Sequence, residues 1–231
     1  MRKLIVAGRL VAYAGLLVLP ACASETLFRS DFTNTPVNQP PATAQSVGTA
    51  HVDGPVGSVK VIAAPVAPSG KWVQVSRPNG PAVAGMQGKF SQFKGDGEYT
   101  FSATMFMPSQ SGVATLQFEP FINQASDLLA FLHLDFMPDN QVRIDDNEAT
   151  KFGTFARDQP FIVQVTLNIN ATASTAHIVL AGASASGVKD HTILSPFQNL
   201  SRQFGAIRIW QGFPHTGPFD ATNISVTRKT Q

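Results

Sequence analysis

The chain has 231 residues, 14% of them charged and 43% hydrophobic, with a formal charge of +2 and a single cysteine. Three of its cations, Arg2, Lys3 and Arg9, lie in an N-terminal stretch without acids; the remaining 14 basic residues face 15 acidic ones, a charge of −1. That balance argues against a nucleic-acid partner, which needs concentrated positive surface, and one cysteine rules out a disulfide framework.

The N-terminus reads as an export signal. Arg2 and Lys3 precede an apolar run that is densest over 10–19, followed by the small-residue string Ala21-Cys22-Ala23. The run is too short for a membrane span and ends at a cleavage-like site. Leu19-Pro20-Ala21-Cys22 resembles the lipobox of bacterial lipoproteins, in which cleavage before the cysteine leaves it lipidated; Pro20 departs from the small or aliphatic residue usual there. Ordinary secretory cleavage after Ala23 is the alternative. On either reading residues 1–21 are a signal peptide and 25–231 a single exported domain. It would meet a membrane only through a lipid on Cys22. Ala23 resembles the sorting residue of outer-membrane lipoproteins; the alternative is a periplasmic or secreted protein.

Beyond the leader, short alternating runs rich in Val, Ile, Phe and Thr are punctuated by Gly and Pro, the pattern of an all-β sandwich. Strands are predicted over 27–32, 57–63, 71–76 and 97–107, then 113–121, 128–136, 141–145, 161–168 and 175–181, and finally 206–212 and 221–228. The polar, Pro-rich stretch 33–50 reads as a long surface loop, or else as a tether with the domain starting near His51. Met137-Pro138-Asp139-Asn140 and the stretch 168–174 read as tight turns.

Side chains on a strand alternate between faces. Over 113–121 this sets Ala114, Leu116 and Phe118 against Thr115, Gln117 and Glu119. Over 128–136 it sets Leu132, Leu134 and Phe136 against Phe131, His133 and Asp135. Val142 and Ile144 oppose Arg143 and Asp145, while Ile207 and Ile209 oppose Arg208 and Trp210. Each strand thus has an apolar core side and a polar side.

The organisation resembles the concanavalin A-like (lectin/glucanase, laminin-G-like) jelly roll, an antiparallel β-sandwich. Phe28-Arg29-Ser30-Asp31-Phe32 resembles the opening of many such domains, 161–182 a hairpin closing on Gly182, and 219–226 the last strand. The resemblance covers most of 27–228 and rests on motifs of fold geometry. It implies a glycan on the polar sheet face, with Trp210 stacking on a sugar and Arg208, His133, Asp135, Arg143, Glu119 and Gln117 as polar partners. Two other readings stay open: a polysaccharide hydrolase or lyase, and an envelope scaffold or protein-interaction module.

No complete catalytic motif is present. Retaining hydrolases of the resembled fold carry Glu-x-Asp-x-(x)-Glu on one strand, with the working carboxylates close together. Here His133-Leu134-Asp135-Phe136-Met137 keeps only the central Asp, and Glu119 would pair with Asp135 only from a neighbouring strand. Lyases of this shape use Tyr and His; Tyr99 falls on the core side. No cofactor is signalled. A structural Ca²⁺ is compatible with the fold, and Asp31 with Asp220 are weak candidate ligands if the first and last strands pair; Asp145, Asp146 and Asn147 form a second oxygen-rich run.

Overall fold

The computed structural model describes residues 23–121, 130–194 and 197–230. The leader and Cys22, and with them the signal-peptide and lipidation expectations, lie outside the described residues.

Sixteen strands and one short helix are described. The first eight strands are Ser24–Ser30 (β1), Thr49–Asp53 (β2), Val59–Ala63 (β3), Lys71–Arg77 (β4), Ala84–Lys89 (β5), Gly97–Phe106 (β6), Ala114–Pro120 (β7) and Leu132–Phe136 (β8). Val142–Ile144 (β9), Asn147–Phe152 (β10), Thr154–Phe155 (β11), Pro160–Ile169 (β12), Thr175–Ala181 (β13) and Ala185–Thr192 (β14) follow. Helix Phe197–Ser201 (α1) precedes Phe204–Gln211 (β15) and Gly217–Lys229 (β16). They form two antiparallel sheets. The nine-stranded sheet runs β11-β14-β13-β12-β6-β16-β4-β3, with β1 also on β16; the seven-stranded sheet runs β10-β9-β8-β7-β15-β5-β2.

The alternation read from the sequence places the core. Phe101, Val163, Val165 and Ile178 of one sheet face Leu116, Phe118, Leu134, Ile207 and Ile209 of the other, all buried. Edge-to-face aromatic packing joins the layers: Phe101 and Phe118 stand 5.5 Å apart, and Phe204 is ringed by Phe90, Tyr99, Phe118 and Phe131. Tyr99 is buried, as its phase predicts, and its hydroxyl donates to the carbonyl of Gly95. Phe131 departs from its predicted face. Strand β8 starts one residue later, so Phe131 turns into the core instead of standing beside His133 and Asp135.

Glycine lets the layers approach. A Cβ on Gly88 would lie 2.6 Å from the ring of Phe28, a wholly buried side chain of the opposite sheet. The segment 31–48 secures the sheet edges. Asn38 N donates to Val61 O and Val61 N to Gln39 O, covering β3, while Arg29 and Val47 exchange backbone bonds beside β1. Such cover hides strand edges that would otherwise pair with other chains.

Both candidate cation ligands are placed by the strand pairing. β1 and β16 do pair, with Ser30 opposite Ile224, which sets Asp31 and Asp220 several residues apart along the ladder. Asp31 accepts from Thr33 N and Oγ1 and closes a turn. Asp220 is 1% exposed and accepts from Gln74 Nε2 at 3.0 Å. Among the described residues no group of three or more His, Cys, Asp or Glu is arranged to hold a metal ion.

Burial pushes the Asp220 carboxyl up to about 6, against the opposing pull of the Gln74 hydrogen bond and Lys60. A carboxyl raised in the folded state destabilises the fold when ionised, so stability rises as pH falls from about 7 toward 4. At about 1.4 kcal/mol per unit the full effect is on the order of 3 kcal/mol. Asp220→Asn is therefore expected to raise unfolding stability at pH 7 by up to about that amount and to leave it unchanged at pH 4. Urea unfolding of both forms across that range is the test; a gain of equal size at both pH values would contradict the assignment.

Candidate functional site

Strand pairing in the seven-stranded sheet aligns its outward side chains in cross-strand rows. His133, Gln117, Arg208, Gln87 and His51 stand opposite one another across β8, β7, β15, β5 and β2. The next row is Arg143, Asp135, Thr115, Trp210, Gly85 and Asp53, starting from β9. Glu119 belongs to a third row with Ala206 and Lys89. All seven predicted binding residues therefore share one face. That face is not solvated as an outer sheet face usually is: Gln117 is 0% exposed, and Asp135, Arg208, Glu119 and Gln87 are buried as well.

Buried charges must be matched, and here they are matched across strands. Asp135 accepts from Thr115 Oγ1 at 2.7 Å and from Arg143 Nη2 and Nε at 3.0 and 3.3 Å. Arg143 also donates to Asp146 at 2.8 Å and Glu148 at 3.1 Å. Arg208 Nε lies 3.0 Å from Glu119 Oε1, with Asp53 at 3.6 Å, and Gln87 donates to the other Glu119 oxygen. Burial raises the Asp135 carboxyl above the usual carboxylate range, while its bonds to Thr115 and Arg143 pull it back.

The two rows each supply a group with capacity to spare. Gln117 Nε2 lies 3.5 Å from His133 Nε2, at the outer limit of a hydrogen bond, and Gln117 Oε1 has no donor among the described residues. Trp210 Nε1 likewise has no acceptor among them. Buried polar atoms in folded proteins are nearly always partnered; Gln87 Oε1 on this face also lacks a donor among the described residues, but only Gln117 and Trp210 of these line the cleft that the face carries. The Trp210 ring is accommodated by glycines: a Cβ on Gly85 would lie 2.5 Å from Trp210 Cβ, and one on Gly212 2.5 Å from the indole edge. Trp210 is therefore half-buried, with the 212–217 loop starting against it.

Val113, Thr115, Gln117, His133, Asp135, Arg143, Asp146, Trp210, Gly212, Phe213 and His215 enclose a cleft of about 340 Å³. Five predicted residues meet there: Gln117, His133, Asp135, Arg143 and Trp210. Arg208 and Glu119 lie on the same face but outside the cleft wall, bound to each other. Phe213, His215 and Asp146 were not expected. Asp145 and Asp146 form the two-residue turn between β9 and β10, both with positive φ, which suits a tight hairpin. Asp145 also accepts from His133 N at 2.9 Å and pairs with His191 of the other sheet at 3.0 Å, fixing the start of β8. Burial lowers the His215 imidazole below its ordinary value, assisted by Arg143 and Arg77 and opposed by Asp135, so it is neutral at pH 7.

The register also decides the carboxylate pair considered from sequence. β7 and β8 are neighbours, but Thr115 faces Asp135 and Gln117 faces His133. Glu119 is thus four residues along from Asp135, about 13 Å between backbones, and the two carboxylates turn to different arginines, Arg208 and Arg143.

No family model and no curated protein sequence matches this chain. Solved structures do. An endo-1,3-beta-glucanase from Streptomyces sioyaensis superimposes with a TM-score of 0.54 at 9% identity, over 92% of this chain and 99% of that one. The fold is the concanavalin A-like jelly roll. Arcelin-5, a lectin-like defense protein from Phaseolus vulgaris, matches with a TM-score of 0.49 at 10% identity, over 90% of this chain and 99% of its own. Lectin II from Ulex europaeus matches at 0.47 and 11%, with the same coverage. At such identities the likeness concerns the jelly roll alone, and the site must be argued from its own side chains.

The Asp135–Arg143 pair makes an asymmetric prediction. Removing Arg143 leaves Asp135 buried without its cation, whereas removing Asp135 leaves Arg143 with Asp146 and Glu148. Arg143→Met is expected to cost about 3 kcal/mol at pH 7 and Asp135→Asn clearly less. Because burial already raises Asp135 and loss of its cation raises it further, acidification shrinks the Arg143→Met deficit. Chemical unfolding at pH 7 and pH 4.5 measures both; equal costs at pH 7, or a deficit that does not shrink in acid, would contradict the pairing.

Proposed function

We propose that this chain is an exported carbohydrate-binding protein that holds a glycan in the cleft on the outward face of the seven-stranded sheet. It would be retained in the envelope through Cys22 if cleavage precedes that residue. One observation carries the reading: the half-buried Trp210 ring and the wholly buried Gln117 amide, whose Oε1 has no donor among the described residues, line the same cleft. An aromatic face supplies apolar area for the C–H face of a pyranose, and a desolvated amide with unused capacity suits its hydroxyls. A few convergent polar groups against apolar area are what small-ligand sites generally present. The glucanase named above shares the fold and lends the reading support by analogy only.

The charge pattern narrows the ligand. Arg143 is already bonded to three carboxylates, and Arg208 lies beside Glu119 and Asp53. The groups left to meet a ligand are an amide, an indole and neutral imidazole, which fits an uncharged glycan better than a uronate or sulfated one.

Affinity electrophoresis through gels containing neutral or uronate polysaccharides tests this. Retardation by at least one neutral polymer is expected, with Trp210→Ala weakening it about tenfold or more, roughly 1.4 kcal/mol. No retardation by any polymer, or binding indifferent to Trp210→Ala, would overturn the reading. New reducing ends on incubation would move it to polysaccharide cleavage.

A further inference from the structure

Phe213 is 72% exposed, yet its position is fixed from below by a buried cation. Arg77, at the end of β4, is 2% exposed and has its guanidinium carbon 5.4 Å from the centre of the Phe213 ring, within cation–π range. Its Nη1 donates to His215 O at 3.0 Å and its Nε to Ala82 O at 2.5 Å, so it ties the 212–217 loop to the β4–β5 connection. The Arg77 backbone N donates to Gln211 Oε1 at 3.3 Å. Gln211, wholly buried, passes the restraint on through Nε2 to Val113 O at 3.1 Å and Thr216 O at 3.4 Å. Gly112 N donates to Thr216 O at 2.8 Å, and His215 N to Gly212 O at 3.0 Å. Gly217 leaves the loop at φ +92, where a Cβ would lie 2.5 Å from Gln110 O.

This anchoring secures the loop to the sheet, but it does not require an aromatic ring at 213. An aromatic ring left mostly in water adds little to core burial. A buried guanidinium with no carboxylate partner, and with Nη2 lacking an acceptor among the described residues, is costly. What the arrangement does achieve is a ring seated over Arg77 at the rim of the cleft that Trp210 also lines, on a loop whose backbone is hydrogen-bonded to its surroundings. A ring seated in this way has less freedom to lose when a ligand lands on it.

We propose that Phe213 is a specificity-determining residue of the cleft, stacking on a sugar ring of the glycan, and that Arg77 is its positioning residue. The inference rests on the carbohydrate reading above and adds a second aromatic surface to it, carried by the loop rather than the sheet. It predicts that an aromatic ring is needed at 213, not merely an apolar side chain, and that Arg77 acts on binding through that ring.

The test uses the purified protein with whichever polysaccharide retards it, comparing Phe213→Ala, Phe213→Leu, Phe213→Trp, Arg77→Met and the double variant Arg77→Met/Phe213→Ala. Dissociation constants and melting temperatures are measured for each. Phe213→Ala and Phe213→Leu are expected to weaken binding at least fivefold with melting unchanged, and Phe213→Trp to retain it. Arg77→Met should weaken binding by a similar factor, and the double variant should bind no worse than Phe213→Ala alone. If Arg77→Met fails to fold, the exposed position 213 still decides, since its three variants leave the core untouched. Binding lost in Trp210→Ala but unchanged in Phe213→Ala would overturn this inference and leave the carbohydrate reading standing. Multiplicative losses in the double variant would overturn the role of Arg77. A protein retarded by no polymer would overturn both.

Discussion

A sheet whose outward face is largely buried at its centre has to match the charges it carries there, and the rest of this structure follows from that constraint. Side chains alternate across a strand, so the apolar half of β7, β8 and β15 builds the sandwich core while the polar half is driven onto one opposite face. There the strand register brings Arg143 beside Asp135 and Arg208 beside Glu119. Matched ion pairs at this depth contribute little net stability relative to apolar replacements. Their consequence is geometric: each fixes two strands in register and holds the side chains between them. Thr115 and Gln117 stand on β7, between Asp135 of β8 and Arg208 of β15, and Gln117 Oε1 has no donor among the described residues.

Glycine then shapes the face. Gly85 makes room for Trp210 beside it, and Gly212 lets the chain cross the indole as it leaves β15. On the core side of the same strand, Gly88 admits Phe28 from the opposite sheet. Strand β5 thus has a glycine on each face, Gly85 in the Trp210 row and Gly88 three residues along, opposite Ile207. The cleft is polar because the adjoining rows cannot point anywhere else, and Gly212 lies in its wall.

Much of this was legible in the sequence, for a physical reason. Period-two alternation survives wherever one face packs a core, so 113–121 and 206–212 revealed both the strands and the side each residue faces. Five strands were missed. β5, AGMQGK, has two glycines and no β-branched residue; β14, ASGVKDHT, is polar and exposed along one side; β2, β10 and β11 are short. These strands take their shape from neighbours rather than from their own preference. Register was equally hidden. Glu119 and Asp135 lie on adjacent strands and the same face, yet four residues out of step, and no local pattern encodes that offset. Phe213 and His215 sit in a loop without periodicity, and their relevance depends on Arg77, more than 130 residues earlier in the chain. Asp31 and Asp220 looked like companions because β1 and β16 pair, but a turn claims one and Gln74 the other.

The central claim is that the ligand meets the protein on the outward face of the seven-stranded sheet. The most direct test is nuclear magnetic resonance of the side-chain amide and indole protons while a neutral oligosaccharide is added. The account predicts that the Trp210 Nε1–H and Gln117 Nε2–H₂ signals shift together and saturate at one ligand concentration, while Gln164 and the backbone at Thr166 and His177, on the outer face of the other sheet, stay still. Shifts confined to Gln164, Thr166 and His177, with Trp210 and Gln117 unmoved, would place the ligand on the wrong side of the sandwich and contradict it.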